Sequence, residues 1–269
     1  METISSKSNE KLKLCRRIIS SKKARSENGL FHAEGVRIVS DALSENADFD
    51  SVFVTEKCAA ANPQLTEKLS AACRRMYLIS DELAEYISDT EKPQGIFALC
   101  RMPHFPSADD MLRLGKRYIM LSGIQDPGNM GTMLRTADAC GIGGVIACGC
   151  CDIFNPKTVR SAMGSILRVP VCVCSEDEAF SAFAGNGIRT FAAVIDRDAV
   201  SLSECGFSDR TAVLIGNEGN GLSESTVSRC DEKITIKMHG TVESLNAAMA
   251  AGIIMWELMR GQSDGADYE

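Results

Sequence analysis

The sequence predicts a two-domain α/β protein: a small α/β unit, then a mostly parallel sheet with helices on both faces. Three observations carry this expectation. Residues 117–262 alternate short, continuous apolar runs with helical segments, the pattern of strands covered on both sides. Residues 1–103 hold a looser mixture of strand and helix, of a common domain size, and Pro103, Pro106 and Ser107 punctuate the boundary. The composition, 45% hydrophobic and 24% charged over 269 residues, is that of a globular protein and excludes a disordered chain, a fibre or a coiled-coil rod.

The first domain, residues 1–103, opens on a basic helix. Phe31 to Val39 has apolar spacing that suits a second helix running to about Ser44. A strand pattern follows at Ser51 to Thr55, a helix at about 64–72 and another strand at Gln94 to Cys100. Residues 104–116 read as a linker. Beyond it, strands are expected at Tyr118–Ser122, Gly144–Cys148, Val169–Cys174, Thr190–Ile195, Thr211–Ile215 and Lys233–Ile236. Helices are expected at about 131–140, 157–164, 176–184, 223–229 and 242–260, and residues 263–269 read as a disordered tail. In such a sheet the ligand belongs at the C-terminal ends of the strands.

No run approaches the roughly 18 apolar residues of a membrane span, and Met1 to Lys7 lacks the apolar core of a secretory signal, so a cytoplasmic protein is expected. Twelve cysteines suggest disulfides or a metal. Disulfide frameworks belong to short secreted chains. Cys148 and Cys151 form a CxxC pair with no second pair at a zinc-ribbon distance, and His32, His104 and His239 are far from them in sequence. The cysteines therefore read as small buried apolar residues, and no metal is expected. The net charge of −7 argues against wholesale coating of nucleic acid. Yet the first forty residues hold nine cations against four acids, which reads either as a solvated helix face or as an RNA-facing patch.

Three loops at strand ends carry chemistry. Gln125-Asp126-Pro127-Gly128-Asn129 has strong turn residues, with Asn129 placed to cap a helix starting near Gly131 and Arg135 about two turns in. Gly216-Asn217-Glu218-Gly219-Asn220-Gly221-Leu222 follows a strand directly, and its glycines let the backbone approach a ligand closely. It has neither the Walker ending nor the Rossmann spacing, so a nucleoside triphosphate or dinucleotide is not the natural ligand. Ile236 to Asn246 leads into an alanine-rich helix; in the bland reading Thr241 or Ser244 simply caps it and Asn246 is incidental, and small residues there permit close packing.

In this order the loops, Asp126-Pro127-x-Asn129-x-Gly131-x-x-x-Arg135-Thr136-Ala137, Ile215-Gly216-Asn217-Glu218-Gly219-x-Gly221-Leu222 and Ile236-x-Met238-x-Gly240-x-x-x-Ser244-Leu245-Asn246, resemble the three motifs of the SpoU (TrmH-type) RNA 2′-O-ribose methyltransferases of the SPOUT class. Arg160-Ser161-Ala162-Met163-Gly164-Ser165 continues the likeness. Phe31-x-x-Glu34-Gly35-x-Arg37 and Pro93-Gln94-Gly95 resemble the family's ribosomal-protein-like substrate-binding domain. The sequence departs at Lys237, where the family usually has proline.

The resemblance implies a deep trefoil knot in the C-terminal domain, S-adenosylmethionine as cofactor, a homodimer, and methylation of a ribose 2′-hydroxyl in ribosomal RNA in preference to transfer RNA. Close backbone crossings in a knot would suit Gly219, Gly221 and Gly240. By matching position, Gly216, Asn217, Ile236, Met238 and Leu245 would hold the cofactor, and Arg135, Asn129, Glu218, Ser244 and Asn246 would form the catalytic set. Arg135 would clamp phosphate and stabilise developing oxyanion charge, and Glu218 would orient Arg135 or Asn129. Lys11, Arg16, Arg17, Lys22, Lys23, Arg37, Lys157 and Arg160 are the candidate RNA contacts. A non-catalytic RNA-binding protein keeping this fold and a methyltransferase acting elsewhere than ribose are the rival readings.

Overall fold

The computed structural model describes residues 1–260, so the expected tail at 263–269 lies outside the described residues. The chain divides into two compact units: Met1–His104 together with Asp152–Leu167, and Phe105–Cys151 together with the chain from Arg168 onward.

The first unit runs β1 (Glu2–Ile4), α1 (Glu10–Ser20), α2 (Lys22–Asn28), β2 (Leu30–Glu34), α3 (Val36–Ser44), β3 (Phe49–Thr55), α4 (Glu56–Ala61), α5 (Pro63–Ala72), β4 (Met76–Ile79), α6 (Asp81–Tyr86) and β5 (Ile96–Arg101). Asn9 caps α1 by accepting from the Lys11 amide at 2.8 Å, and Leu12, Cys15, Ile18 and Ile19 fall on its buried stripe. The sheet order is β1-β4-β3-β5-β2, with β5 antiparallel to both its neighbours.

Phe31 to Val39 is not one helix. Leu30–Glu34 pairs with β5 as a strand, Gly35 turns the chain at φ 103°, and α3 begins at Val36. All five β2 residues are buried, so no period-two alternation marks it in the sequence, and long-range pairing decides the outcome. The short elements β1, β4, α4 and α6 carry too little periodicity to be expected.

In the second unit the expected linker contains α7 (Ala108–Leu114), capped by Ser107 and held by buried Met111 and Leu112. There follow β6 (Arg117–Ser122), α8 (Pro127–Cys140) and β7 (Gly144–Cys148). The chain then contributes α9 (Pro156–Ala162) to the first unit. It continues as β8 (Val171–Val173), α10 (Glu176–Gly185), β9 (Arg189–Ala193), β10 (Val200–Ser201), β11 (Thr211–Ile215), α11 (Glu224–Val227), β12 (Glu232–Thr235) and α12 (Ala247–Arg260). Seven strands form one sheet in the order β10-β12-β9-β11-β6-β7-β8, every pairing parallel. β6 and β11 run in register from Arg117–Thr211 to Leu121–Ile215, so the loops that leave them emerge side by side.

Segment Asp152–Leu167 is expected within the C-terminal domain, but its side chains complete the first unit. Phe154 stacks on Phe31 at 5.0 Å, and Arg160 bonds Asp89 at 2.6 Å. Arg25 is 3% exposed; it pairs with Asp152 at 2.6 Å and donates through Nη1 to the carbonyls of Ile18 and Ile19 at 2.7 and 3.0 Å. A buried guanidinium is tolerable only with its donors met in this way. One of the nine N-terminal cations is therefore structural.

His32 is buried beside Phe97, and neither ring nitrogen has a hydrogen-bond partner. Burial pushes its pKa down to about 4, with Glu34 and Asp89 opposing the shift. The folded protein holds the neutral ring, whereas the unfolded chain binds a proton below pH 6.5. Stability should thus fall by on the order of 3 kcal/mol as pH drops from 6.5 to 4. His32→Phe should remove most of that slope in urea unfolding followed across this range; an unchanged slope would show that the imidazole is not responsible.

Candidate functional site

The first and second loops meet through one carboxylate. Glu218 accepts from Asn129 Nδ2 at 2.8 Å and from the backbone amides of Gln125 and Asp126, each at 3.4 Å. Partial burial pushes its pKa up, but the hydrogen bonds from Asn129 and these amides outweigh this and hold the carboxyl below its usual value. The Asn129 side chain is available for this role because Asp126, not Asn129, caps α8: its Oδ1 accepts the Asn129 amide at 2.8 Å, and the helix starts at Pro127. The cap lies three residues earlier than expected, since proline at the first helical position suits the missing donor there.

The third loop joins by the same logic. Asn246 Nδ2 donates to Asn129 Oδ1 at 3.2 Å, while Asn246 Oδ1 accepts from the amides of Ala248 and Met249 and so caps α12. The bland reading, a cap at Thr241 or Ser244 with Asn246 incidental, does not hold, and α12 starts at Ala247 where a start near 242 is expected. Glu218, Asn129 and Asn246 form one continuous chain of hydrogen bonds across all three loops.

Beside this chain lies a cavity of ≈ 450 Å³, within the range of small-molecule sites. Gly216, Asn217, Ile236, Met238 and Leu245 all line it, as do Glu218 and Ser244. Lys237 does not; it pairs with Glu204 at 3.3 Å, leaving Ile236 and Met238 on the wall. Ala193, Val194, Ile195 and Leu202 also line it and carry no sequence signal, because apolar residues ending a buried strand look like core. Among the described residues no lysine, arginine or histidine lines the cavity, and Glu218 is its one charged group. A largely apolar wall with one carboxylate and no cation is compatible with a ligand that carries a positive centre, as S-adenosylmethionine does.

The tightest backbone approach within the glycine loop falls at Gly216. A Cβ on Gly216 would lie 2.0 Å from the Gly221 carbonyl carbon and 2.2 Å from the Leu222 nitrogen, whereas Gly219, Gly221 and Gly240 have ordinary contacts or open space. Gly221 is required for its φ of +67° instead. Asn217 Oδ1 braces the turn by accepting from the amides of Gly219 and Asn220.

Arg135 stands apart: it is exposed, does not line the cavity, and its side chain makes no hydrogen bond or ion pair among the described residues. The RNA candidates lie in the first unit. Lys11, Arg17, Lys22 and Arg37 make no ion pair among the described residues. Arg16 donates to the Tyr86 carbonyl at 2.9 Å, Lys23 pairs with Glu27, and Arg160 is engaged by Asp89; Lys157 is exposed on α9. The twelve cysteines are free thiols, and among the described residues no group of three or more ligating side chains could hold a metal ion.

Gly216→Ala should force the second loop away from its own backbone. Hydrogen exchange should then show weaker protection at the amides of Gly219, Asn220 and Gly221, with β11 unaffected; retained protection would refute the close approach.

The SpoU rRNA Methylase family matches over residues 116–256, and the MRM3-like substrate binding domain matches over residues 9–98. The 23S rRNA (guanosine(2553)-2′-O)-methyltransferase RlmP of Bacillus subtilis is 30% identical over 259 residues, 96% of this chain and 99% of that protein. The 23S rRNA (uridine(2479)-2′-O)-methyltransferase of Streptomyces viridochromogenes is 30% identical over 92% of this chain and 88% of its own length. Among solved structures, the AdoMet-bound rRNA methyltransferase from Sinorhizobium meliloti superposes with a TM-score of 0.87 at 27% identity, covering 98% of this chain and 99% of its own. With the family match spanning more than half its length and both relatives aligned over most of theirs, this chain belongs to the SpoU rRNA methylase family.

Proposed function

We propose that this protein transfers a methyl group from S-adenosylmethionine to a ribose 2′-hydroxyl of ribosomal RNA. The observation that carries the reading is the hydrogen-bonded chain Glu218–Asn129–Asn246 at the edge of a cavity that, among the described residues, no cation lines. The relatives named above act on 23S rRNA, and a structural neighbour binds AdoMet.

The cofactor supplies an electrophilic methyl on a sulfonium, and the backbone of Gly216 and Asn217 with the side chains of Ile236, Met238 and Leu245 would hold it. Glu218, kept ionised, favours a positive centre and fixes the Asn129 amide. Asn129 and Asn246 present polar groups where a ribose would lie, and Ser244 lines the cavity wall beside them. Arg135, with no protein partner among the described residues, is available to clamp the RNA phosphate and to stabilise charge growing on the 2′-oxygen. Alignment of a weak nucleophile supplies much of the acceleration. The trefoil knot is part of this reading through the family resemblance of the three motif loops.

A homodimer is also proposed. Met249, Ile253 and Trp256 recur along one face of α12 with 62%, 41% and 64% exposure, an apolar stripe suited to a second copy. Among the described residues no helix is long and apolar enough to cross a membrane, and a ribosomal substrate fits a cytoplasmic enzyme.

Incubating the protein with radiolabelled S-adenosylmethionine and rRNA, then digesting to nucleosides, should yield 2′-O-methylated nucleoside. Label on a base, or cofactor-independent RNA binding without transfer, would overturn the reading.

Arg135→Ala should lower the rate on the order of a hundredfold or more while cofactor affinity, measured by calorimetry, is kept. Lysine there should not fully restore it, because it lacks the planar fork. For RNA capture, Gln at Lys11, Arg17, Lys22 and Arg37 should weaken binding and flatten its salt dependence, by up to roughly 0.7 in log–log slope for each phosphate left without its cation. An unchanged slope would make these residues a solvated face.

A further inference from the structure

A carboxylate outside all three motif loops ties two of them together from behind. Glu176 is the first residue of α10. Its Oε1 accepts the Ser122 hydroxyl at 2.5 Å, and its Oε2 accepts the Thr226 hydroxyl at 2.8 Å. Ser122 is the last residue of β6, and the loop carrying Asp126 and Asn129 starts directly after it. Thr226 is 1% exposed and sits in α11, which follows the glycine loop after the single capping residue Ser223.

The first loop and the glycine loop are therefore joined twice. Glu218 joins them at their tips, through Asn129 and the amides of Gln125 and Asp126. Glu176 joins them at their roots, through Ser122 and Thr226. A carboxylate suits this position because it only accepts, and its two oxygens can take both hydroxyl protons at once. Thr226 keeps an oxygen lone pair for Ser223, whose hydroxyl lies 2.7 Å away.

We propose that Glu176 is a positioning residue for methyl transfer: it sets the spacing of the two loops, so that Asn129 and Glu218 hold their catalytic alignment. The proposal rests on the methyltransferase reading of the site. Glu176 does not line the cavity and is not a member of the Glu218–Asn129–Asn246 chain. Its effect reaches chemistry only through the loops, and misplacement by about an ångström can cost on the order of a hundredfold in rate.

The test uses the full chain with Glu176→Ala, Glu176→Gln and Ser122→Ala, assayed well below the melting temperature of each variant. Glu176→Ala should lower kcat by roughly ten- to a hundredfold, with the RNA KM and the S-adenosylmethionine Kd within about threefold of wild type. Gln can accept one hydroxyl and donate to the other, so Glu176→Gln should recover most of the loss. Ser122→Ala should cost little more when added to Glu176→Ala, since both remove the same strut. In hydrogen exchange the amides of Gln125 and Asp126 should open faster in Glu176→Ala while those of β9 keep their protection. An unchanged kcat with only a lower melting temperature would overturn the proposal. So would a Kd that rises as far as kcat falls, because the cavity itself would then have been damaged. If wild-type protein transfers no methyl to RNA, the functional reading fails; the exchange of Gln125 and Asp126 still decides whether Glu176 holds the loops.

Discussion

The site depends on an ionised carboxylate with more than one donor. Glu218 draws the Asn129 amide and the start of α8 toward the glycine loop, and Asn129 in turn meets Asn246 at the head of α12. Hydrogen bonds to a charged acceptor are roughly twice as strong as neutral ones, and here they add to the packing of α12 on α8 and the pairing of β6 with β11, which bring the loops together. Each of those helices is capped by a side chain of the same network or beside it: Asp126 for α8 and Asn246 for α12.

Backbone crowding sets the cavity itself. With a Cβ position 2.0 Å from the next turn of its own loop, Gly216 admits no other residue, and it brings main-chain groups to the wall where a side chain would otherwise fill the space. The absence of cations from the lining, among the described residues, separates this site from a phosphate-gripping loop. The cations proposed to meet RNA lie in the first unit and at Arg135, outside this lining, and the net charge of −7 does not describe the charge at those places.

Residue types alone misassign several roles, always where a distant partner takes over. Arg25 counts as a surface cation until Asp152 and two helix carbonyls enclose it. Phe31 to Val39 has helical spacing until β5 pairs with its first half. Glu176 gives no signal at all, since a glutamate opening a helix is common and its two hydroxyl partners are 54 and 50 residues away.

By itself the sequence determined the alternating parallel α/β unit, with β7 and β11 bounded to the residue, because continuous apolar runs between helices have few other solutions. Through the resemblance of its motifs to a known family it also marked five residues that line the cavity, Gly216, Asn217, Ile236, Met238 and Leu245. Only the tertiary structure decided which asparagine caps a helix and which joins the loops, which cation is buried, and which glycine leaves no room for a side chain. Those outcomes turn on contacts between residues far apart in the chain, and local spacing carries no information about which distant group will satisfy a buried donor or acceptor.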